Sequence, residues 1–360
     1  MSTLFIGKRF YTNRDALKDQ FGRIYQLPRF WAETGMEVNL WLIDYHTKER
    51  MSEHHQSLRI HSLPVFSLHS LRHLLTSLRR RPRNVIASGD CYIGLLGYMI
   101  ARLSGAGFTF DIYDKYTTFP GYRKIIGIDP FKFLVKNSDH LLFASTVLAA
   151  ETTPYQSRKA TFSIAPNGID SKIFYPRYRT HCRKTLGLDT HSLYVGYFGS
   201  MEPDRGLTDL LTAIRYLRLS GLEIRLLLAG NKSANLNISD DWVDYLGNIP
   251  HTKVAIALCC CNVLSLPYRN SDFLDMASSC KIAEYLAVQI PIAATRTPNL
   301  IQNFPTQALQ LENVLAAPND PTSLAMSIAQ QLMAPVLAST PLEMDWQHIA
   351  ERILRELPVR

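Results

Sequence analysis

The sequence has no run of about 18 apolar residues, the length a membrane-crossing helix needs, so no segment of it is expected to span a bilayer. Its first residues, Met1 to Arg9, pass straight into a strand-like stretch without the apolar core of a secretory signal. The expected compartment is therefore the cytoplasm. The six cysteines, at 91, 182, 259, 260, 261 and 280, contain no CxxC pair. A zinc site needs better-spaced ligands, so they read as reduced, mostly buried thiols. There is no repeat with a period of about 20–50 residues and no low-complexity tract. No RNP, zinc-finger or helix-turn-helix signature accompanies the arginines, so nucleic acid is not an expected partner.

What is present is a chain of 360 residues, 46% of them hydrophobic, enough for two domains with proper cores. The net charge of +8 is uneven. Residues 1–165 hold 22 Lys and Arg against 13 Asp and Glu, and the remainder holds 17 against 18. A basic first half points to an anionic partner: an acidic lipid surface or a phosphorylated substrate.

Strand-like and helix-like stretches alternate along the chain. Leu4 to Gly7 reads as a strand and Lys8 to Asp15 as a polar loop; Phe21-Gly22-Arg23-Ile24-Tyr25 follows, then an amphipathic helix through Trp31 to Thr34 with Gly35 at its C-cap. Val38 to Ile43 follows as a strand. A strand, a loop with Gly22 and a helix start make a corner that can face a phosphate, although a lone turn glycine explains Gly22 equally well. Leu68 to Arg83 places Leu71, Leu74, Leu75 and Leu78 at helical spacing beside Arg72, Arg79, Arg80 and Arg81. Such a basic amphipathic helix either lies on anionic lipid or packs inward with a solvated basic end. Asn84 to Asp90 and Phe108 to Tyr116 read as strands, separated by a helix from Ile93 to Leu103. In parallel α/β sheets ligands gather at the C-terminal strand ends, which makes Asp90, Asp111 and Asp114 site candidates. Asp111 or Asp114 can instead cap a helix or hold a loop. Asp139 to Ser145 gives one more strand.

Turn chemistry dominates Ile164 to Asp170 and Phe174 to Pro176, where a domain boundary is expected. The alternation then restarts, with strands at Tyr194–Phe198, Glu223–Ala229, Val243–Leu246, Asn262–Leu266 and Ile292–Ala294 and a helix at Gly206–Leu219. Two successive series of this kind predict two doubly wound α/β domains. The last helix-like stretch is Asp345 to Leu354.

Ser278 to Ala287 combines a serine cap with two charges, Lys281 and Glu284. A lysine at the positive end of a helix dipole makes sense if an anion binds between it and the free N–H groups. The plainer reading is a surface Lys–Glu pair worth about 0.2–0.5 kcal/mol.

Four stretches extend that reading: Pro166-Asn167-Gly168-Ile169-Asp170 with Phe174 and Pro176, Gly199-Ser200-Met201-Glu202-Pro203-Asp204-Arg205-Gly206, Leu246-Gly247-Asn248-Ile249, and Lys281-Ile282-Ala283-Glu284-Tyr285-Leu286-Ala287 with Pro291 and Thr295. In this order and at these distances they resemble the retaining glycosyltransferases of family 4, in the large GT-B group, and the resemblance covers nearly the whole chain. It implies a GT-B fold of two doubly wound Rossmann-like domains with a cleft between them. Residues 1–165 would be the acceptor side, residues 166–340 the nucleotide-sugar domain, and residues 341–360 a helix crossing back to the first domain. Arg205, before Gly206, stands where the family has its phosphate-binding lysine, and Ser200 stands where it usually has an arginine. Lys281 could supply the missing charge. Glu284 matches the second glutamate of the family's E-x7-E motif, which holds the nucleotide ribose, whereas the first falls on Met276. Gly22 and Arg23 would correspond to the N-terminal phosphate-facing loop. The strand-end histidine of many members is absent, and Asp90 lies at about that place.

The activity implied is a retaining, metal-independent hexosyl transfer from a nucleotide-diphosphate sugar to a lipid-linked or polysaccharide acceptor in cell-surface glycan biosynthesis. No cofactor or metal is expected, because the nucleotide sugar is a co-substrate and no D-x-D motif is clearly placed. An anionic membrane surface at the inner face of the cell membrane is an expected partner. Ser200 and Met276 favour an alternative, a catalytically silent GT-B subunit that binds a partner glycosyltransferase. A GT-B nucleotide-sugar epimerase is another, although the expected histidine placements are lacking.

Overall fold

The computed structural model describes residues 2–11, 14–119 and 121–357. Thr12 and Asn13 of the expected polar loop, and the Asp272 side chain, lie outside the described residues. The chain divides into two compact units, Met1–Gly168 with Trp346–Arg360, and Ile169–Asp345.

The first unit is built on an eight-stranded sheet. Its strands are β1 Ser2–Lys8, β2 Glu37–Asp44, β3 Met51–His55, β4 Leu58–Pro64, β5 Asn84–Ser88, β6 Gly107–Ile112, β7 His140–Phe143 and β8 Thr161–Ile164. They lie in the order β8-β7-β6-β5-β1-β2-β4-β3, with only the β3–β4 pair antiparallel. The helices are α1 Arg23–Glu33, α2 Leu68–Arg80, α3 Cys91–Ser104, α4 Pro130–Asn137 and α5 Thr146–Thr152. From β1 the chain steps one way to β2 and later returns to β5 on the other side, so β1 and β5 flank a topological switch point. Right-handed crossovers put α1 on one face and α2 to α5 on the other.

The second unit has a five-stranded parallel sheet. Its strands are β9 Leu193–Phe198, β10 Ile224–Ala229, β11 Val243–Tyr245, β12 Val263–Leu266 and β13 Ile292–Ala294, in the order β11-β10-β9-β12-β13. Most are continuous buried runs, as a parallel sheet covered on both faces requires. Two helices matter for the site: α6 Leu207–Leu219 and α7 Cys280–Ala287. Cys259, Cys260 and Cys261 are buried free thiols in this core. Burial pushes Cys259 up to about 11 and Cys260 up to about 12, which leaves them unreactive.

The last helix, α8 Trp346–Glu356, belongs to the first unit. It buries Trp346, Ile349, Ala350 and Ile353, the i, i+3, i+4, i+7 stripe of an amphipathic helix, and packs on α1. The Trp31 indole Nε1 donates to the Ala350 carbonyl at 2.8 Å.

Some elements differ from expectation. The strand expected over Phe108–Tyr116 stops at Ile112. Tyr116 begins a short 3-10 turn, and its buried hydroxyl donates to the Asp111 carbonyl at 2.8 Å and accepts from the Gly89 N–H at 3.2 Å. The β3–β4 hairpin has no apolar alternation in Ser52-Glu53-His54-His55 to announce it.

Replacing Ile353 by Ala leaves a cavity between α8 and the rest of the first unit. Urea denaturation should show a loss of about 2–5 kcal/mol. An unchanged midpoint would mean that α8 is not part of that unit's core.

Candidate functional site

In the second unit the loops after β9 and β12 meet the first turn of α7 at the C-terminal edge of the sheet, and the loop after β10 lies against the loop after β9. The approach is too close for side chains in the loop after β9. A Cβ on Gly199, whose φ is +136°, would fall 2.0 Å from Cε of Lys281. A Cβ on Gly206, at φ +71° and capping α6, would fall 1.7 Å from the Pro267 carbonyl oxygen. Both positions therefore require glycine.

The Lys281 side chain lies along the Gly199 backbone, and its ammonium donates to the Tyr197 hydroxyl at 3.2 Å. That hydroxyl donates to the Ser200 carbonyl at 2.7 Å. The ammonium also stands 5.0 Å from the Tyr197 ring centroid and 5.6 Å from that of Tyr268. Arg205 stands 5.8 Å from the same Tyr268 ring, which places both cations against one aromatic residue. Burial pulls the Lys281 ammonium down, the Tyr197 and Tyr268 hydroxyls outweigh it, and the net shift is upward. Lys281 is thus charged at neutral pH, at the N-terminal end of α7, where the dipole is also positive. Arg205 pairs with Asp204 at 3.6 Å. The structure brings Ser200, Arg205, Gly206 and Lys281 together, as a cationic cradle rimmed by a helix start.

Glu284 is one turn further along α7 and buried. Its carboxylate Oε1 lies 2.9 Å from Nε2 of His251, whose ring packs against Phe174 at 4.9 Å. His251 is a site residue that the sequence did not reveal. It starts a helix, His251–Leu258, with no spacing signal of its own. Met276, the other E-x7-E position, closes a short helix, Asp272–Met276.

The first unit corrects two expectations. Arg23 and Asp111 do not present free charges to a ligand, because they bind each other. Arg23 Nη2 and Nε donate to the two Asp111 carboxylate oxygens at 2.7 and 3.0 Å, and both side chains are fully enclosed. The Ser88 hydroxyl adds a bond to Asp111 at 2.6 Å. The group ties the start of α1 to the ends of β5 and β6. Gly22 precedes it at φ +75°, and α1 has no side-chain cap. Asp90 caps α3, its Oδ1 accepting from the N–H groups of Tyr92 and Ile93 at 2.9 Å each. Asp114 is half-buried just beyond β6, with its carbonyl accepting from the Tyr116 N–H at 2.9 Å. Among the described residues no group of three or more His, Cys, Asp or Glu side chains could hold a metal ion, and no helix is long and apolar enough to cross a membrane.

Residues 192–333 match the family model described as glycosyl transferases group 1. The matched stretch lies within the second unit. Two curated relatives are D-inositol 3-phosphate glycosyltransferases. That of Segniliparus rotundus is 29% identical over 103 residues, 28% of this chain and 23% of the relative. That of Pseudarthrobacter chlorophenolicus is 27% identical over 180 residues, 46% of this chain and 42% of the relative. The chain thus spans less than half the length of the curated relatives it matches. Among solved structures, the sucrose-phosphate synthase of Thermosynechococcus elongatus superposes with a TM-score of 0.73 at 18% identity, over 99% of this chain and 98% of that one. Anabaena HepE in complex with UDP-glucose gives a TM-score of 0.69 at 11% identity, over 99% of each chain. The chain has the GT-B fold, with two Rossmann-like α/β domains.

Removing Arg23 strands a buried carboxylate. Arg23→Ala should cost about 3–5 kcal/mol in urea denaturation, and the volume-conserving double change Arg23→Met/Asp111→Leu should recover most of it. Full stability in Arg23→Ala, with only ligand affinity lost, would restore Arg23 to a ligand-facing role.

Proposed function

We propose that the chain is a glycosyltransferase that takes its sugar from a nucleoside diphosphate donor held by the second unit. The observation that carries this reading is the pair of cations, Lys281 and Arg205, gathered over Tyr268 at the start of α7. The match of residues 192–333 to the group 1 glycosyltransferases, the glycosyltransferase relatives, and GT-B neighbours whose structures hold UDP or UDP-glucose support it.

Negative charge grows on the diphosphate as the bond between the sugar and phosphate oxygen breaks. Lys281, Arg205 and the first N–H groups of α7 are preorganised to stabilise that charge, and they do so without a metal. Glu284, oriented by His251, accepts bonds from the ribose hydroxyls. Retention of configuration follows from attack on the face the diphosphate leaves. The acceptor oxygen bonds to the sugar carbon, its proton passes to the departing phosphate oxygen, and no protein nucleophile is used. Asp90 and Asp114 are the first unit's candidates for contact with the acceptor. The acceptor class is a lipid-linked or polysaccharide glycan, met at the inner face of the cell membrane during cell-surface glycan synthesis.

Thermal shift against UDP, GDP, ADP, dTDP and CMP names the base, since ligand at about 100 times its dissociation constant adds roughly 2.7 kcal/mol. With that nucleotide, calorimetry on Lys281→Ala should show affinity lower by about 10–100-fold, the loss of one or two charge-assisted bonds. Unchanged affinity would remove Lys281 from the donor site. Nucleotide binding with no turnover of any nucleotide sugar would turn the reading to a silent subunit, as Ser200 and Met276 favour.

A further inference from the structure

Helix α2 turns part of its apolar stripe to solvent, with Leu74 and Leu78 half-buried. A surface helix normally turns its apolar stripe to the sheet. The buried residues of α2 are Ser70 and Ser77, whereas Leu68, Leu71 and Leu75 are 67%, 52% and 48% exposed. The sheet below matches this polarity. Leu58 and Ile60 of β4 are buried, while the alternate residues Arg59 and His61 line a cavity of about 480 Å³ beneath the helix. Arg72, His69, His73 and Arg80 of α2 face the same space, which Ser2 and Asn39 place at the N-terminal ends of β1 and β2. The strand-end residues Asp90 and Asp114 lie at the opposite edge of this sheet, and the cationic cradle belongs to the other unit.

Three guanidinium groups line the cavity against one carboxylate, Glu37, which stands 3.9 Å from Arg59 in an exposed pair. Arg80 donates to the neutral Asn39 side-chain oxygen at 3.1 Å. The His61 and His73 rings are 4.6 Å apart, and the His73 ring meets Trp41 edge-on at 4.8 Å. Burial, then His61 and Arg80, push His73 down to about 4, and burial, Arg80 and Arg59 push His61 down. Both imidazoles are therefore neutral at pH 7. His73 Nε2 is enclosed and has no hydrogen-bond partner among the described residues.

We infer that this cavity binds a phosphate ester, at a site separate from the donor site. Guanidinium forks match phosphate oxygens, and neutral imidazoles add N–H donors. The volume falls in the range of about 300–1,000 Å³ typical of small-molecule pockets, well beyond a bare phosphate. Residues 65–137 carry 11 Lys and Arg against 4 Asp and no Glu, which favours an anion. The same chemistry has two sources. One is a soluble phosphate ester. The other is an anionic lipid headgroup, its acyl chains lying against Leu68, Leu71, Leu75 and Phe66, which is 94% exposed.

The test uses the full chain with labelled histidines. The imidazole signals of His61 and His73 are followed by NMR through pH, alone, with glycerol 3-phosphate, and with short-chain phosphatidylglycerol. A bound phosphate should raise the His73 midpoint by about one unit. Arg59→Gln/Arg80→Gln should weaken that binding by about 10–100-fold and leave nucleotide affinity unchanged. Sedimentation with phosphatidylcholine vesicles, with and without phosphatidylglycerol, separates the sources. Pelleting that needs phosphatidylglycerol, the arginines and Leu71 and Leu75 (lost in Leu71→Ser/Leu75→Ser) identifies a lipid headgroup. A response to glycerol 3-phosphate without pelleting identifies a soluble ester. Wild-type His61 and His73 midpoints that move with neither probe would overturn the inference.

Discussion

Lys281 is an ammonium placed where the helix dipole is already positive, laid along a backbone that leaves no room for a Cβ. Desolvation and the dipole both oppose a charge there. The surroundings compensate locally. Tyr197 accepts a hydrogen bond from it and donates one to the Ser200 carbonyl, Tyr268 offers a π face, and Gly199 has no side chain to obstruct it. The loops after β9 and β12 and the start of α7 are therefore fixed relative to one another by one cation. Positive charge and N–H groups gathered at strand ends are what the proposed diphosphate site requires.

The first unit handles its charges differently. Arg23 and Asp111 are enclosed and paired, with Arg23 Nη1 left without a hydrogen-bond partner among the described residues, and Arg9 is likewise enclosed with Asp44 and Asp15 at 3.0 and 2.9 Å. These pairs fix loops and helix starts at the C-terminal ends of the strands. At the opposite edge, under α2, the cations face a cavity with a single carboxylate to answer them. Charges that fix the frame are paired, whereas those around the two cavities or cradles proposed to hold ligands exceed their carboxylate partners.

The order of strands and helices was legible because parallel strands are apolar runs and their helices begin at Asp, Ser or Gly. The cluster of Arg205, Gly206 and Lys281 was legible through the motif spacing. Three things were not. The Arg23–Asp111 pair joins residues 88 positions apart, and either charge alone looks like a ligand contact. His251 reaches Glu284 across 33 positions from a helix start that carries no motif. The leucines of α2 announce an amphipathic helix, but period alone does not say how it is turned on the sheet, and here its fully buried positions are Ser70 and Ser77.

The most direct measurement is calorimetric: the affinity of a nucleoside diphosphate against that of its parent nucleoside, for whichever base binds. If Lys281, Arg205 and the α7 amides hold the diphosphate, the diphosphate should bind about 100-fold more tightly or better, some 2.7 kcal/mol, and the gap should shrink as salt rises. Equal affinities for nucleoside and diphosphate would contradict a phosphate-binding role for this cluster.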